Sequence, residues 1–194
     1  MPETIEESLI YCLISLGCEH GEYLFDSTEY HSMLKGISQM LTSNQEKCGI
    51  MFTGQFGTGK TAIMSALRKF FDLLKNVPSA WAYQEINSLD NAYIRAEDFR
   101  YPIVSYEKFC EAAATPILFL DNLGIELDTP KDDLAVALIK NLIRLRYDMR
   151  MFTLIATPFD IQSIREVYGN QIASIITKCY SIIELDWMPF RKNV

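Results

Sequence analysis

Residues 54 to 61 read Gly-Gln-Phe-Gly-Thr-Gly-Lys-Thr. This G-x-x-x-x-G-K-[ST] spacing constrains the fold more than any other feature, because it works only between a strand and a helix. The flanks supply both. Residues 50–53 are apolar and β-prone, and residues 61–71 place Ile63, Met64, Leu67, Phe70 and Phe71 at helical spacing. Gly54, Gly57 and Gly59 let the backbone curl so that its N–H groups converge. The helix start adds a partial positive charge, and the two together suit phosphate oxygens. The segment Gly54, Gln55, Phe56, Gly57, Thr58, Gly59, Lys60, Thr61 and Ala62 is therefore the candidate cradle for ATP. Lys60 is placed to reach the β- and γ-phosphates, and the Thr61 hydroxyl to ligate Mg2+.

A second element completes such a site. Residues 117–121, Ile-Leu-Phe-Leu-Asp, are an apolar run of strand length ending in a carboxylate. A run this apolar suits a strand buried on both faces of a parallel sheet. An Asp at the carboxyl end of a strand beside the phosphate-loop strand can hold magnesium, which makes Asp121 the second metal candidate. Many ATPases follow this Asp with another acid that polarises the attacking water. Here Asn122 follows, and an amide can orient water but cannot take its proton. Either a nearby acid substitutes, with Glu126 the obvious candidate, or hydrolysis is slow.

The rest of the chain reads as alternating helices and strands, which predicts an α/β fold with a parallel sheet. Thr4-x-x-Glu7 is a capping box for a helix over residues 5–16, closed by Gly17. A helix over 28–42, capped by Asp26 or Ser27, presents Met33, Leu34, Ile37, Met40 and Leu41. Further helices are expected over 79–90, 105–113, 132–148, 161–167 and 171–178, and strands over 92–94, 152–156 and 182–185. In the helix over 132–148, Leu134, Leu138, Ile139, Leu142, Ile143 and Leu145 are expected to face inward.

Composition narrows the setting. With 194 residues the chain makes one domain with a small appendage. No run reaches membrane-spanning length, and the acidic start is unlike a signal peptide, so a cytoplasmic location is expected. Five scattered cysteines read as reduced thiols. Cys12, Cys18 and His20 fit no standard zinc spacing, and buried thiols are the preferred reading. The net charge of −7 is concentrated early: residues 1–34 hold Glu3, Glu6, Glu7, Glu19, Glu22, Asp26 and Glu29 and no Lys or Arg. That segment repels nucleic acid; it is either a dock for a basic protein or a solvated helix face.

Taken together, these pieces resemble the helicase-loader and transposase-helper branch of the AAA+ ATPases, the DnaC/IstB-like proteins, over residues 24–192. Residues 118–126, Leu-Phe-Leu-Asp-Asn-Leu-Gly-Ile-Glu, are similar to that family's "LLIDDLGxE" segment. Residues 143–147 look like its Arg-Tyr helix end, and residues 152–159 resemble its sensor-1 strand. Tyr168-Gly169-Asn170-Gln171-Ile172-Ala173-Ser174 is similar to "YGxRIxSRL", and Trp187-Met188-Pro189-Phe190-Arg191 to the closing "GxSYR". The resemblance implies a P-loop NTPase fold of AAA+ type, three layers α/β/α around a five-stranded parallel sheet. It places an acidic helical segment at 1–45 and the ATPase core at 46–194, with no separate C-terminal lid domain. It adds Arg191 to the nucleotide contacts and makes Asp121, Asn122, Glu126 and Thr157 the catalytic candidates.

The departures matter as much. The family's sensor-1 Asn falls on Pro158, with Thr157 the nearest polar group, and its arginine finger falls on Ile175. The binding residues Gly59, Lys60, Thr61 and Asp121 are retained. The pattern implies a protein that binds ATP and hydrolyses it weakly, with Arg144, Arg146, Arg150 or Arg165 as candidates for a displaced finger. Lys140, Arg144, Arg146 and Arg150 cluster at one helix end, where they suit DNA phosphates, a neighbouring subunit's nucleotide, or simply the helix dipole. The implied partners are a replicative helicase or a transposase, weak contact with single-stranded DNA, and self-association into a homo-oligomer. The rival class is a catalytically degenerate regulatory or scaffold protein. A small-molecule kinase is disfavoured, because no arginine-rich lid or acceptor pocket is visible.

Overall fold

The computed structural model describes residues 28–42, 47–75, 89–128 and 133–187. Helix α1 (Thr28–Thr42) precedes β1 (Gly49–Gly54), α2 (Lys60–Lys75) and β2 (Asn91–Arg95). A 3-10 turn (Ala96–Arg100) leads to α3 (Pro102–Ala114) and β3 (Ile117–Asp121). A second 3-10 turn (Ile125–Asp128) precedes α4 (Asp133–Asp148), β4 (Phe152–Thr157), α5 (Ile161–Tyr168), α6 (Asn170–Cys179) and β5 (Tyr180–Leu185). All strand pairs are parallel, in the order β2-β3-β4-β1-β5. The five-stranded α/β architecture expected from the sequence is therefore present. The helices expected over 5–16 and 79–90, the cap at residues 26 or 27, Cys12, Cys18 and His20 lie outside the described residues, wholly or in their greater part.

Strand parity divides the core in two. On one face Ile50, Phe52, Ile117, Phe119, Leu154 and Ala156 meet α1 and α2 through Leu34, Ile37, Ile63, Met64, Leu67, Phe70 and Phe71. On the other, Met51, Ile94, Leu118, Leu120 and Ile155 meet α4 to α6 through Ile139, Leu142, Ile143, Ile164, Tyr168, Ile172 and Ile176. Successive strand residues point to opposite faces, so a strand with helices on both sides must be apolar at every position. β3 is buried along its whole length. Helix α1 contributes Leu34 and Ile37 to the same core as the phosphate-loop strand.

Two expectations about α4 change. Leu134 is 56% exposed and Leu145 is 36% exposed, not inward. Eleven residues is close to three full turns, so the two lie on one flank, beside the buried stripe of Ala135, Ile139, Leu142 and Ile143. Arg146 continues that stripe and is fully buried. Its guanidinium donates to the carbonyls of Ala112, Thr115, Pro116 and Phe152, and to Thr153 Oγ at 2.8 Å. No carboxylate pairs with it among the described residues. Burial pulls its pKa down to about 10, which leaves it charged at neutral pH. Arg146 is therefore withdrawn as a DNA contact or displaced finger; Lys140, Arg144, Arg150 and Arg165 remain exposed.

Replacing Arg146 by Met should cost about 3 kcal/mol or more, because the carbonyls it serves lose a charged donor. Arg146→Lys should recover little, since an ammonium cannot span five acceptors in one plane. A urea midpoint within experimental error of the parent for Arg146→Met would contradict this account.

Candidate nucleotide-binding site

β1 runs into the loop and α2 starts at Lys60, so the strand, turn and helix setting is present. Gly57 and Gly59 have φ of 85° and 92°, a region that side chains with a Cβ rarely occupy. Thr58 Oγ donates to Gln55 O at 2.9 Å and tightens the turn. Lys60 Nζ curls back over the loop and donates to Gly54 O at 2.6 Å and Gln55 O at 2.7 Å. Burial lowers the Lys60 pKa, and the Asp121 charge acts in the opposite sense. Phe56 is 70% exposed, with Lys60 Nζ 5.9 Å from its ring centre. From beyond β5, the Trp187 indole donates to Thr58 O at 3.0 Å. Arg191 lies outside the described residues.

Asp121 ends β3 and is fully buried. The strand beside β1 is β4, not β3, which corrects the sequence expectation that Asp121 would stand on the loop strand's neighbour. Parity still brings the groups together. Ile117, Phe119 and Asp121 alternate toward the α2 face, where Thr61 lies in the first turn of that helix. Thr61 Oγ donates to Asp121 at 3.0 Å to Oδ2 and 3.3 Å to Oδ1. The Asn122 N–H donates to Oδ1 at 2.9 Å. A third donor escaped the sequence reading: Tyr93 on β2 donates its hydroxyl to Oδ2 at 2.6 Å. Burial first, then the Asp121 charge and hydrogen bond, push the Tyr93 pKa well above the ordinary phenol value. A groove of about 430 Å³ opens beside these groups, lined in part by Thr61, Ser65, Arg68, Tyr93 and Arg95. The hydroxyl of Thr61 and the carboxylate of Asp121 are hard oxygen donors at the spacing of one ion's ligands, and so fit magnesium.

The remaining candidates form a knot behind this pair. Asn122 has φ of 57°, a left-handed conformation that asparagine tolerates well. Glu126 is fully buried; Oε2 accepts the Gly124 N–H at 2.8 Å and Oε1 accepts the Tyr168 hydroxyl. Gly124 has φ of 109°, and a Cβ there would stand 2.8 Å from the Phe159 ring, so a larger residue would strain the turn and displace that ring. Thr157 Oγ donates to Leu123 O at 2.7 Å and accepts from the Phe159 N–H at 3.1 Å. Thr53 Oγ donates to Phe159 O at 2.7 Å, which joins this knot to the end of β1. Ile175 is 8% exposed and packs in the α4 to α6 core. The position where the family carries its arginine finger therefore faces inward here, and an arginine placed there would have to be buried.

No family model and no curated protein sequence matches the chain. Solved structures do. The DnaC helicase loader superposes with a TM-score of 0.62 at 21% identity, over 84% of this chain and 93% of that one. The chain has the fold of the DnaC helicase loader. DnaI superposes with a TM-score of 0.61 at 17% identity, over 88% of each chain. AMPPCP-bound DnaA from Aquifex aeolicus superposes with a TM-score of 0.58 at 16% identity, over 84% of this chain and 48% of that one. The fold expected from the sequence, an AAA+ type P-loop architecture, is thereby shown. No described helix is long and apolar enough to cross a membrane.

The ties on Glu126 give a direct expectation. Tyr168→Phe deletes one donor to a buried carboxylate and should cost about 1–3 kcal/mol. Thermal melts would register that loss, and a variant as stable as the parent would show that Glu126 does not depend on Tyr168.

Proposed function

We propose that this chain binds ATP with magnesium at the phosphate loop and works as a slow, nucleotide-switched accessory ATPase of replication initiation or transposition. The observation that carries the reading is the direct contact between Thr61 Oγ and Asp121, with Lys60 beside it. Two oxygen ligands and one ammonium at the start of a helix are what a triphosphate–magnesium complex requires. Lys60 would exchange the carbonyls of Gly54 and Gln55 for the β- and γ-phosphate oxygens. The Thr61 hydroxyl, its proton on Asp121, would offer its lone pairs to the ion. A magnesium held there would neutralise phosphate charge.

Slow turnover follows from how the helpers are held. The Asn122 amide cannot accept a proton from water. Both Glu126 oxygens are engaged in the core, which disfavours Glu126 as the replacement base. Thr157 has its proton on Leu123 O. Pro158 offers no side-chain donor, and Ile175 is inside. The same facts support the second reading, a regulatory or scaffold protein that senses ATP without consuming it. Similarity to DnaC, named a helicase loader, supports a helicase as the partner, and similarity to DnaA, solved with AMPPCP and single-stranded DNA, supports weak single-stranded DNA contact; a transposase partner, self-assembly and a cytoplasmic location rest on the sequence resemblance alone. Lys140, Arg144 and Arg150 are the members of the α4 basic cluster that stay exposed for such contacts.

Lys60→Ala should weaken ATP binding at least about tenfold, since the phosphates lose their cation; equal binding of a fluorescent ATP by parent and variant would remove the phosphate-loop assignment. Hydrolysis by the isolated protein should be on the order of one turnover per minute or less. Turnover stimulated by single-stranded DNA would favour the loader reading, and tight binding without turnover the regulatory one. Turnovers per second from the protein alone would contradict both. A pull-down with and without ATP identifies the partner.

A further inference from the structure

We propose that Tyr93 is a positioning residue for the magnesium site: its hydroxyl holds the Asp121 carboxylate in the orientation in which Thr61 and Asp121 together receive the ion. The proposal rests on the nucleotide-site reading above and deepens it.

The geometry starts from strand register. Tyr93 pairs with Phe119 and Arg95 pairs with Asp121 across β2 and β3. Tyr93 is therefore two residues short of Asp121, about 6.6 Å along the strand. Its side chain points to the α2 face, the same face as Asp121. A phenol is long enough to close that offset, whereas a Ser or Thr at position 93 would fall short. The observed contact, 2.6 Å to Oδ2, is the shortest of those on the carboxylate.

The ring is fixed on both sides. It stacks on Phe119, with centroids 6.2 Å apart and planes 20° from parallel. The Arg68 guanidinium carbon lies 5.7 Å from the ring centre. The hydroxyl is thus held in place by packing, not only by the bond it makes.

This fixed donor matters because of how the proton of Thr61 is used. That hydroxyl has one hydrogen, and it goes to Asp121. Its lone pairs are what remain for a metal, and their direction follows the carboxylate. The Asn122 N–H holds Oδ1 and Tyr93 holds Oδ2. Without Tyr93 the Asn122 N–H and the Thr61 hydroxyl alone hold the carboxylate, which then turns more easily about its Cβ–Cγ bond and takes the Thr61 hydroxyl with it. The loss falls on metal binding and not on the phosphate cradle, because Lys60 and the loop backbone do not touch Tyr93 through any described hydrogen bond.

The test is a titration of fluorescent ATP, first in EDTA and then over a range of magnesium concentrations, on the parent and Tyr93→Phe. Phenylalanine keeps the ring between Phe119 and Arg68 and deletes only the hydroxyl. Affinity in EDTA should stay within about twofold of the parent, which also shows that the variant is folded. The gain in affinity on adding magnesium should shrink about fivefold, with half-saturation moved to higher magnesium. The same substitution in an Asp121→Asn background should change nothing further, because Tyr93 acts through that carboxylate. If Tyr93→Phe keeps the parent's magnesium gain, the role assigned to Tyr93 is overturned while the nucleotide site stands. An equal loss in EDTA and in magnesium, or a full additional loss in the Asp121→Asn background, would reduce Tyr93 to packing and overturn it as well. A parent that binds no ATP overturns the nucleotide-site reading, and a parent that binds ATP but gains no affinity from magnesium overturns the metal assignment and the role of Tyr93 with it.

Discussion

The fully buried cation Arg146 ties together the strand ends opposite the site. The Arg146 guanidinium reaches the last carbonyl groups of α3, the turn into β3 and the first residues of β4. These lie at the amino ends of the two strands. Asp121 and Thr157 stand at the carboxyl ends of the same strands, beside the phosphate loop. Parallel strands are rigid along their length, so clamping one end fixes where the other arrives. A carboxylate partner would give a tighter pair but would also have to be desolvated. Carbonyl oxygens that already need donors supply the same directional hold without a second buried charge.

The phosphate-loop helix and the Glu126–Tyr168 knot sit on opposite faces of the sheet and share no core. Contact between them passes around the carboxyl edge of the strands, through Thr53 to Phe159 and through Leu123 to Ala156. Both links are hydrogen bonds at strand ends. The two cores therefore pack separately and are tied by hydrogen bonds at the carboxyl ends of the strands.

Much of this was legible in the amino acids, and the limits have physical causes. The phosphate loop, the buried strands and most helices declared themselves through spacing and apolar periodicity, because each of those is a local property. Strand order is not local. Placing β4 between β1 and β3 cannot be read from β3, and neither can the nearness of Tyr93 to Asp121, which depends on the register of two strands 28 positions apart. Burial of a charge was also hidden. Arg146 and Glu126 look like surface or catalytic residues by type, and only their neighbours' unsatisfied carbonyls, N–H groups and phenol make them interior. The misplaced Leu134 and Leu145 show the opposite limit, in which apolar residues outnumber the positions on a helix that can be covered.

Strand order also dictates the sequence of events during synthesis. Among the described strands β1 comes first in the chain, yet its two neighbours in the sheet, β4 and β5, come last. The loop it leads into is completed by Trp187, 129 residues downstream of Thr58. β1 therefore has neither sheet neighbour until β4, Phe152–Thr157, has been made. A chain cut before β4 would keep the phosphate-loop residues and lack both strands that flank β1.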